Sequence, residues 1–148
     1  MKVLLIEDDA CDVMAVQRAL PPGWELVTVK TLVEGIETVA REHPDIAVLD
    51  LTLPDSHDCR ESLDAFRTAW PDVPTIVLTG RVDEGMARIC GESGGMYVLK
   101  QSGPEQLVQS LSCVMGRASR ERSIRADRET LREKLLATVE ETKRLGAT

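Results

Sequence analysis

The sequence predicts an α/β protein built on a doubly wound, five-stranded parallel sheet of order 2-1-3-4-5, with an extended helix at its C-terminal end. Three observations lead there. Short, continuously apolar runs at Val3 to Ile6 and Ile46 to Leu49 suit strands buried on both faces, and further strand runs follow at Thr75 to Leu78 and Tyr97 to Leu99. They alternate with stretches whose apolar residues recur at helical spacing. The connections between them are tight, and right-handed crossovers then set strands one and three side by side.

The elements follow in order. After strand one, Ala10 to Leu20 reads as a helix with Val13, Val16 or Gln17, and Leu20 on one side; Asp9 is its N-cap, and Pro21, Pro22 and Gly23 stop it. Glu25 to Val29 is the second strand, with Trp24 packing at its start. Helix two, Leu32 to Glu42, is expected to bury Leu32, Ile36, Val39 and Ala40, although Gly35 costs it up to roughly 1 kcal/mol. Helix three, Cys59 to Trp70, places Leu63, Phe66 and either Ala69 or Trp70 against the sheet, and Pro71 and Pro74 bracket the turn into strand four. Helix four begins near Asp83 and Glu84 and is short and glycine-loaded, with Gly85 inside it and Gly91, Gly94 and Gly95 at its end. Pro104 suits the first turn of helix five, whose packed face is Leu107, Val108, Leu111, Val114 and Met115.

Beyond Gly116 the chain stays helix-permissive to Leu145. Ile124, Arg128, Leu131, Leu135, Thr138, Thr142 and Leu145 follow an approximate 4-3 spacing that Leu136 and Val139 broaden. The seam is too broken to specify a coiled coil and too apolar for a disordered tail. The expected division is 1–116 as the folded domain and 117–148 as a helical extension that supports a homodimer through helix five and the C-terminal helix. A tail that folds back as a sixth helix, or that links to a further module, is the competing description.

Composition narrows the function. With 148 residues, 43% of them apolar, the chain can bury one good core, and no apolar run approaches the roughly 18 residues of a membrane span. No secretory leader is expected, because Glu7, Asp8 and Asp9 interrupt the first apolar run. Cys11, Cys59, Cys90 and Cys113 lack metal-ligand spacing and read as core or surface residues in a reducing cytoplasm. His43 and His57 read as turn and loop residues. Residues 1–115 carry 9 Lys/Arg against 19 Asp/Glu, a net −10, whereas 116–148 carry 9 against 6, a net +3. The acidic body argues against nucleic-acid binding; the arginines at 117, 120, 122, 125 and 128 read as solvated helix faces.

Chemistry gathers at the carboxyl ends of the strands, where open α/β sheets place their sites. Strand three ends in Asp50 and strand one in Glu7 and Asp8; as neighbours they would crowd carboxylates that repel one another unless a cation compensates. All-oxygen ligation by a few carboxylates suits magnesium. Thr79 ends strand four and Lys100 ends strand five. A nucleophilic carboxylate, an acidic metal pocket, a hydroxyl and an ammonium make a plausible phosphoryl-transfer site. A dinucleotide fold fails on its fingerprint, since acids stand where a glycine-rich turn would approach a pyrophosphate.

The set IEDD at 6–9, DLTLP at 50–54, TG at 79–80 and YVLK at 97–100 closely resembles the receiver domain of bacterial two-component response regulators, over roughly Lys2 to Met115. The resemblance implies Asp50 as phosphoacceptor, Asp8 as direct ligand of Mg2+ (or Mn2+), Glu7 as the acid that holds metal-bound water, and the Thr52 carbonyl as a further ligand. It implies Thr79 as switch hydroxyl, Tyr97 as switch aromatic and Lys100 as phosphate-neutralising ammonium. It also implies a histidine kinase or histidine phosphotransfer protein as partner, and signalling through the face made by helix four, strand five and helix five. A pseudo-receiver serving as a dimeric scaffold, or a receiver detached from a larger kinase, is the alternative. Two positions depart from the family pattern. Asp58 stands where glycine is usual, a position suggestive of positive φ, and Gln101 replaces the proline that usually follows the lysine.

Overall fold

The computed structural model describes residues 1–51, 53, 55, 58–80, 84–92 and 95–146. The element order is β1 (Lys2–Ile6), α1 (Ala10–Ala19), β2 (Glu25–Val29), α2 (Leu32–Glu42), β3 (Ile46–Asp50), α3 (Cys59–Ala69), β4 (Thr75–Thr79), α4 (Glu84–Glu92), β5 (Met96–Leu99), a 3-10 turn (Lys100–Ser102) and α5 (Pro104–Gly146). The strands form one parallel sheet of order β2-β1-β3-β4-β5, as the sequence predicts. Its register sets Ile6 beside Leu49 and Asp50 beside Leu78, so the ends of β1, β3 and β4 open on the same edge.

Alternation along the strands divides the core between the two faces of the sheet. Leu4, Ile6, Ala47, Leu49 and Val77 meet Leu32 and Val39 of α2, Leu63 and Phe66 of α3, and Met86 and Cys90 of α4. Val3, Leu5, Val48, Ile76 and Val98 meet Val16 of α1 and Leu107, Leu111 and Val114 of α5. The central strands β3 and β4 are buried at every position, whereas the edge strand β2 is half-buried, which matches its mixed composition.

Local chemistry explains the helix limits. Asp9 caps α1, Thr31 caps α2 and Asp58 caps α3, each with a side-chain oxygen that accepts backbone N–H bonds of the first turn. α3 ends at Ala69; Trp70 follows as its C-cap, packs against the core and donates its indole N–H to the Ile36 carbonyl at 2.8 Å, while Ala69 is exposed. One expected core position is corrected. Ala40 is exposed, and the buried face of α2 turns instead through Gly35 and Thr38, whose hydroxyl donates to the Glu34 carbonyl at 2.6 Å and so enters the core satisfied. Gly35 has a steric reason as well, because a Cβ there would stand 2.8 Å from Ile6 Cγ1. α2 closes on His43 in left-handed geometry, φ 48°.

The described residues fall into two compact units, 1–115 and a second from Gly116 onward. The second unit is helical through Gly146, and Ile124, Leu131, Leu135, Leu136, Val139 and Leu145 are exposed along it. No helix among the described residues is long and apolar enough to cross a membrane.

Candidate functional site

Three carboxylates converge at the ends of β1 and β3. Glu7, Asp8 and Asp50 each offer an oxygen within 4.8 Å of the others, and Glu7 and Asp50 are almost wholly buried while Asp8 is exposed. Sheet order produces this, since β1 and β3 are adjacent and their last residues leave the ladder together. Asp9, the third acid in the row, turns away: it is the cap of α1, accepting the N–H groups of Cys11 at 2.8 Å and Asp12 at 3.1 Å, and its own N–H donates to Glu7 Oε1 at 3.1 Å.

Lys100 reaches into the cluster from the end of β5. Its Nζ stands 2.7 Å from Asp12 Oδ2, 2.9 Å from Glu7 Oε2 and 3.4 Å from Asp50 Oδ2. Burial alone would lower the ammonium's pKa, but the hydrogen bond to Asp12, the close contact with Glu7 and the charge of Asp50 prevail and raise it. Glu7 responds in the opposite sense to its own burial: desolvation lifts its carboxyl from 4.5 to about 7 against the pull of Lys100, and the hydrogen bond and charge of Asp50 add to the rise. The contact between Lys100 and Glu7 Oε2 has the distance of an ion pair without the direction of a hydrogen bond, so this buried oxygen keeps an unsatisfied lone pair.

The residues fit a hard divalent cation. The donors are all oxygen, one buried donor atom is unsatisfied, and two buried carboxylates share the pocket with a third and, among the described residues, with the Lys100 ammonium. Thr79 ends β4, buried, one residue past Leu78, the register partner of Asp50. Tyr97 sits mid-β5 opposite Val77 and lines a cavity of about 460 Å³ together with Glu84 and Ala87 of α4 and Gln106 and Ser110 of α5. Thr52, expected as a further ligand, and His57 lie outside the described residues, as does Asp83 at the start of α4.

Both departures from the family pattern have a structural outcome. Asp58 does not adopt positive φ; at φ −136° it is the cap of α3, accepting from Arg60 N–H at 2.8 Å and Glu61 N–H at 3.2 Å. An N-cap residue takes extended backbone, so capping α3 and a positive φ exclude one another at this position. Gln101 follows Lys100 in the 3-10 turn, with no cis peptide bond among the described residues, and its side chain donates to the Gly80 carbonyl at 2.9 Å, a bond proline cannot make. Two aspartates escaped the motif reading. Asp12 contacts Lys100 from the first turn of α1, across 88 residues of sequence, a contact that local spacing does not announce. Asp55 binds the N–H groups of Leu32 at 2.9 Å and Val33 at 3.1 Å, capping α2 from 23 and 22 residues away; no local spacing announces such a contact.

Comparison with known proteins adds an independent line. Residues 3–112 match the family model described as the response regulator receiver domain. The chain is 34% identical over 122 residues to the transcriptional regulatory protein TrcR of Mycobacterium tuberculosis, covering 80% of this chain and 47% of that one. It is 31% identical over 120 residues to the response regulator MprA of Mycobacterium leprae, covering 79% and 52%. It therefore spans about half the length of these curated relatives. Among solved structures, a CheY-like response regulator receiver domain protein from Methanospirillum hungatei superposes with a TM-score of 0.70 at 22% identity, over 81% of this chain and 97% of that one. The signal receiver domain of a putative Luxo repressor protein from Vibrio parahaemolyticus gives 0.72 at 22% identity, over 83% and 95%. At these identities the structures speak for the fold, which is the flavodoxin-like arrangement.

Proposed function

The chain belongs to the response regulator receiver domain family of two-component systems, and from that premise we propose that Asp50 accepts a phosphoryl group from a histidine kinase or histidine phosphotransfer protein in a magnesium-dependent reaction. One observation carries the reading. Asp50, about 1% exposed at the end of the central strand, has the Lys100 ammonium 3.4 Å away and Glu7 and Asp8 oxygens within 4.8 Å.

In the proposed transfer a carboxylate oxygen of Asp50 attacks the phosphorus of a phosphohistidine. The P–N bond breaks as the acyl phosphate forms, and the imidazole nitrogen that leaves takes a proton. Bound magnesium, held directly by Asp8 and Asp50 and through water by Glu7, would supply positive charge against the phosphoryl oxygens. Manganese suits the same donors. The chain's own residues do the rest: Lys100 offsets charge on the incoming oxygens, and the strand ends hold Asp50 and Thr79 in neighbouring positions. Thr79 follows the phosphoryl oxygen and Tyr97 responds at the α4–β5–α5 face, where the cavity beside it gives the ring room to move.

Incubation with a small phosphodonor and magnesium, followed by intact-protein mass spectrometry, tests the assignment. The wild type should gain one phosphoryl mass and Asp50→Asn none. An equally abundant phosphoform in Asp50→Asn would overturn it, and an unmodified wild type would favour the pseudo-receiver reading.

A second reading concerns assembly. Ile124, Leu131, Leu135 and Val139 are spaced i, i+7, i+11 and i+15, which puts four exposed apolar side chains on one helical face. We propose that 1–116 is the receiver and that the C-terminal extension, 117–148, serves a homodimer, with α5 contributing from Leu107 onward. Burial of such a stripe against a second copy removes from water a surface that soluble monomers rarely present.

A further inference from the structure

We infer that Asp12 is the positioning residue for Lys100, drawing its ammonium toward the rim of the carboxylate pocket and so weakening its competition with a divalent cation for the buried carboxylates of Glu7 and Asp50; the inference rests on the pocket being the phosphoacceptor site. The three contacts of Nζ are unequal. That to Asp12 is the shortest, 2.7 Å, and is a directed hydrogen bond; that to Glu7 Oε2 is undirected; that to Asp50 is long, 3.4 Å. Charge-assisted bonds strengthen steeply at the first of these distances, so Asp12 decides where the ammonium rests. The Asp12 side chain is 37% exposed, against 1% for Glu7 and 1% for Asp50, so the ammonium's best partner lies outside the pocket.

Asp12 is itself fixed. It occupies the first turn of α1, where its N–H donates to the capping Asp9 carboxylate at 3.1 Å and where the helix dipole favours a negative side chain. Its carboxylate therefore reaches across 88 residues of sequence to the end of β5 from a rigid base. Without that charge, Nζ has Glu7 Oε2 and Asp50 Oδ2 as its remaining acidic contacts among the described residues. Those are two of the oxygens that would hold a divalent cation, that of Asp50 directly and that of Glu7 through metal-bound water. Lys100 would then compete with the cation for its ligands, and the cation would have to displace it.

A double-mutant cycle read by calorimetric magnesium titration tests this on the full chain, using wild type, Asp12→Asn, Lys100→Ala and the double variant. Loss of the Asp12 charge should weaken magnesium binding about fivefold or more when Lys100 is present, and less than about twofold when it is absent, because coupling between contacting charges is of that size. Asp12→Glu, which keeps the charge and the reach, should restore affinity to within about twofold. Equal weakening in both Lys100 backgrounds would mean that Asp12 acts by charge alone and would overturn its positioning role. Unchanged affinity in Asp12→Asn would overturn it as well. A wild type that binds no magnesium would instead overturn the site reading on which the inference stands.

Discussion

Glu7→Gln tests the electrostatic cost of crowding carboxylates in the pocket. The substitution keeps the side-chain volume and the Oε1 acceptor that receives the Asp9 N–H at 3.1 Å, and it removes one charge. Burial raises the Glu7 carboxyl from 4.5 to about 7, opposed by Lys100 and reinforced by Asp50. At about 1.4 kcal/mol per pH unit, that shift corresponds to roughly 3 kcal/mol. Below about pH 4.5 the folded and unfolded chains both hold the proton and the group costs nothing. Between about 4.5 and 7 the unfolded chain releases it while the folded chain retains it, so this contribution to stability falls as pH rises; above about 7 the cost is fully present. Glutamine never ionises. Urea unfolding in the presence of a chelator should therefore show Glu7→Gln gaining on wild type from pH 5 to pH 8, by up to roughly 3 kcal/mol less what the lost Lys100 contact returns. Magnesium should reverse the order, because a cation that binds the folded wild type stabilises it by mass action and the variant brings one negative charge fewer to the pocket. A stability difference that is flat across this pH range, or that falls as pH rises, would refute the reasoning.

Three further outcomes are expected. Asp8→Asn should weaken magnesium binding about tenfold or more and Asp9→Asn far less, because Asp9 spends its carboxylate on the amides of Cys11 and Asp12; a titration with the opposite order would shift the ligand assignment by one residue. Gly35→Ala should lose about 1 kcal/mol in denaturant unfolding, since overpacking against the buried Ile6 outweighs the helix-propensity gain, and a net gain near 1 kcal/mol would show that Ile6 yields freely. Sedimentation equilibrium at tens of micromolar should find the wild type dimeric and the Leu131→Glu, Leu135→Glu double variant monomeric; a monomeric wild type would remove the dimer, and a dimeric variant would move its interface elsewhere.

Strand runs such as Ile46 to Leu49 and Thr75 to Leu78 were legible because burial on both faces leaves an unbroken apolar signature, and sheet order followed from the repeat of strand and helix. Capping was legible where it is local, as with Asp9. It was misread at Asp58, where family habit suggested a backbone conformation and the side chain's own preference for free amides prevailed. Ala40 was misplaced because an exposed alanine and a buried one look alike in a periodic pattern, while the buried Thr38 hides its polarity in a bond to Glu34. The contacts of Asp12 and Asp55 depend on how distant segments meet in space, which no window of sequence contains.

The Asp12 contact and the Gln101 bond both act on the turn that carries Lys100. Lys100 is drawn to α1 by Asp12, and the next residue, Gln101, is tied to the carbonyl of Gly80 immediately after Thr79. The ammonium and the hydroxyl proposed to meet the phosphoryl group thus belong to segments joined by a side-chain bond. In that arrangement, movement of Lys100 toward a phosphorylated Asp50 would have to break or carry with it the Gln101 bond, and so would pull on the end of β4. A proline at 101 would leave the two segments without this bond, since it has no side-chain amide to donate. Chain-specific chemistry beside a shared set of motifs is therefore where this receiver's switching would differ from that of its relatives, and Gln101→Ala, which deletes the bond and leaves every proposed ligand in place, separates that coupling from phosphorylation itself.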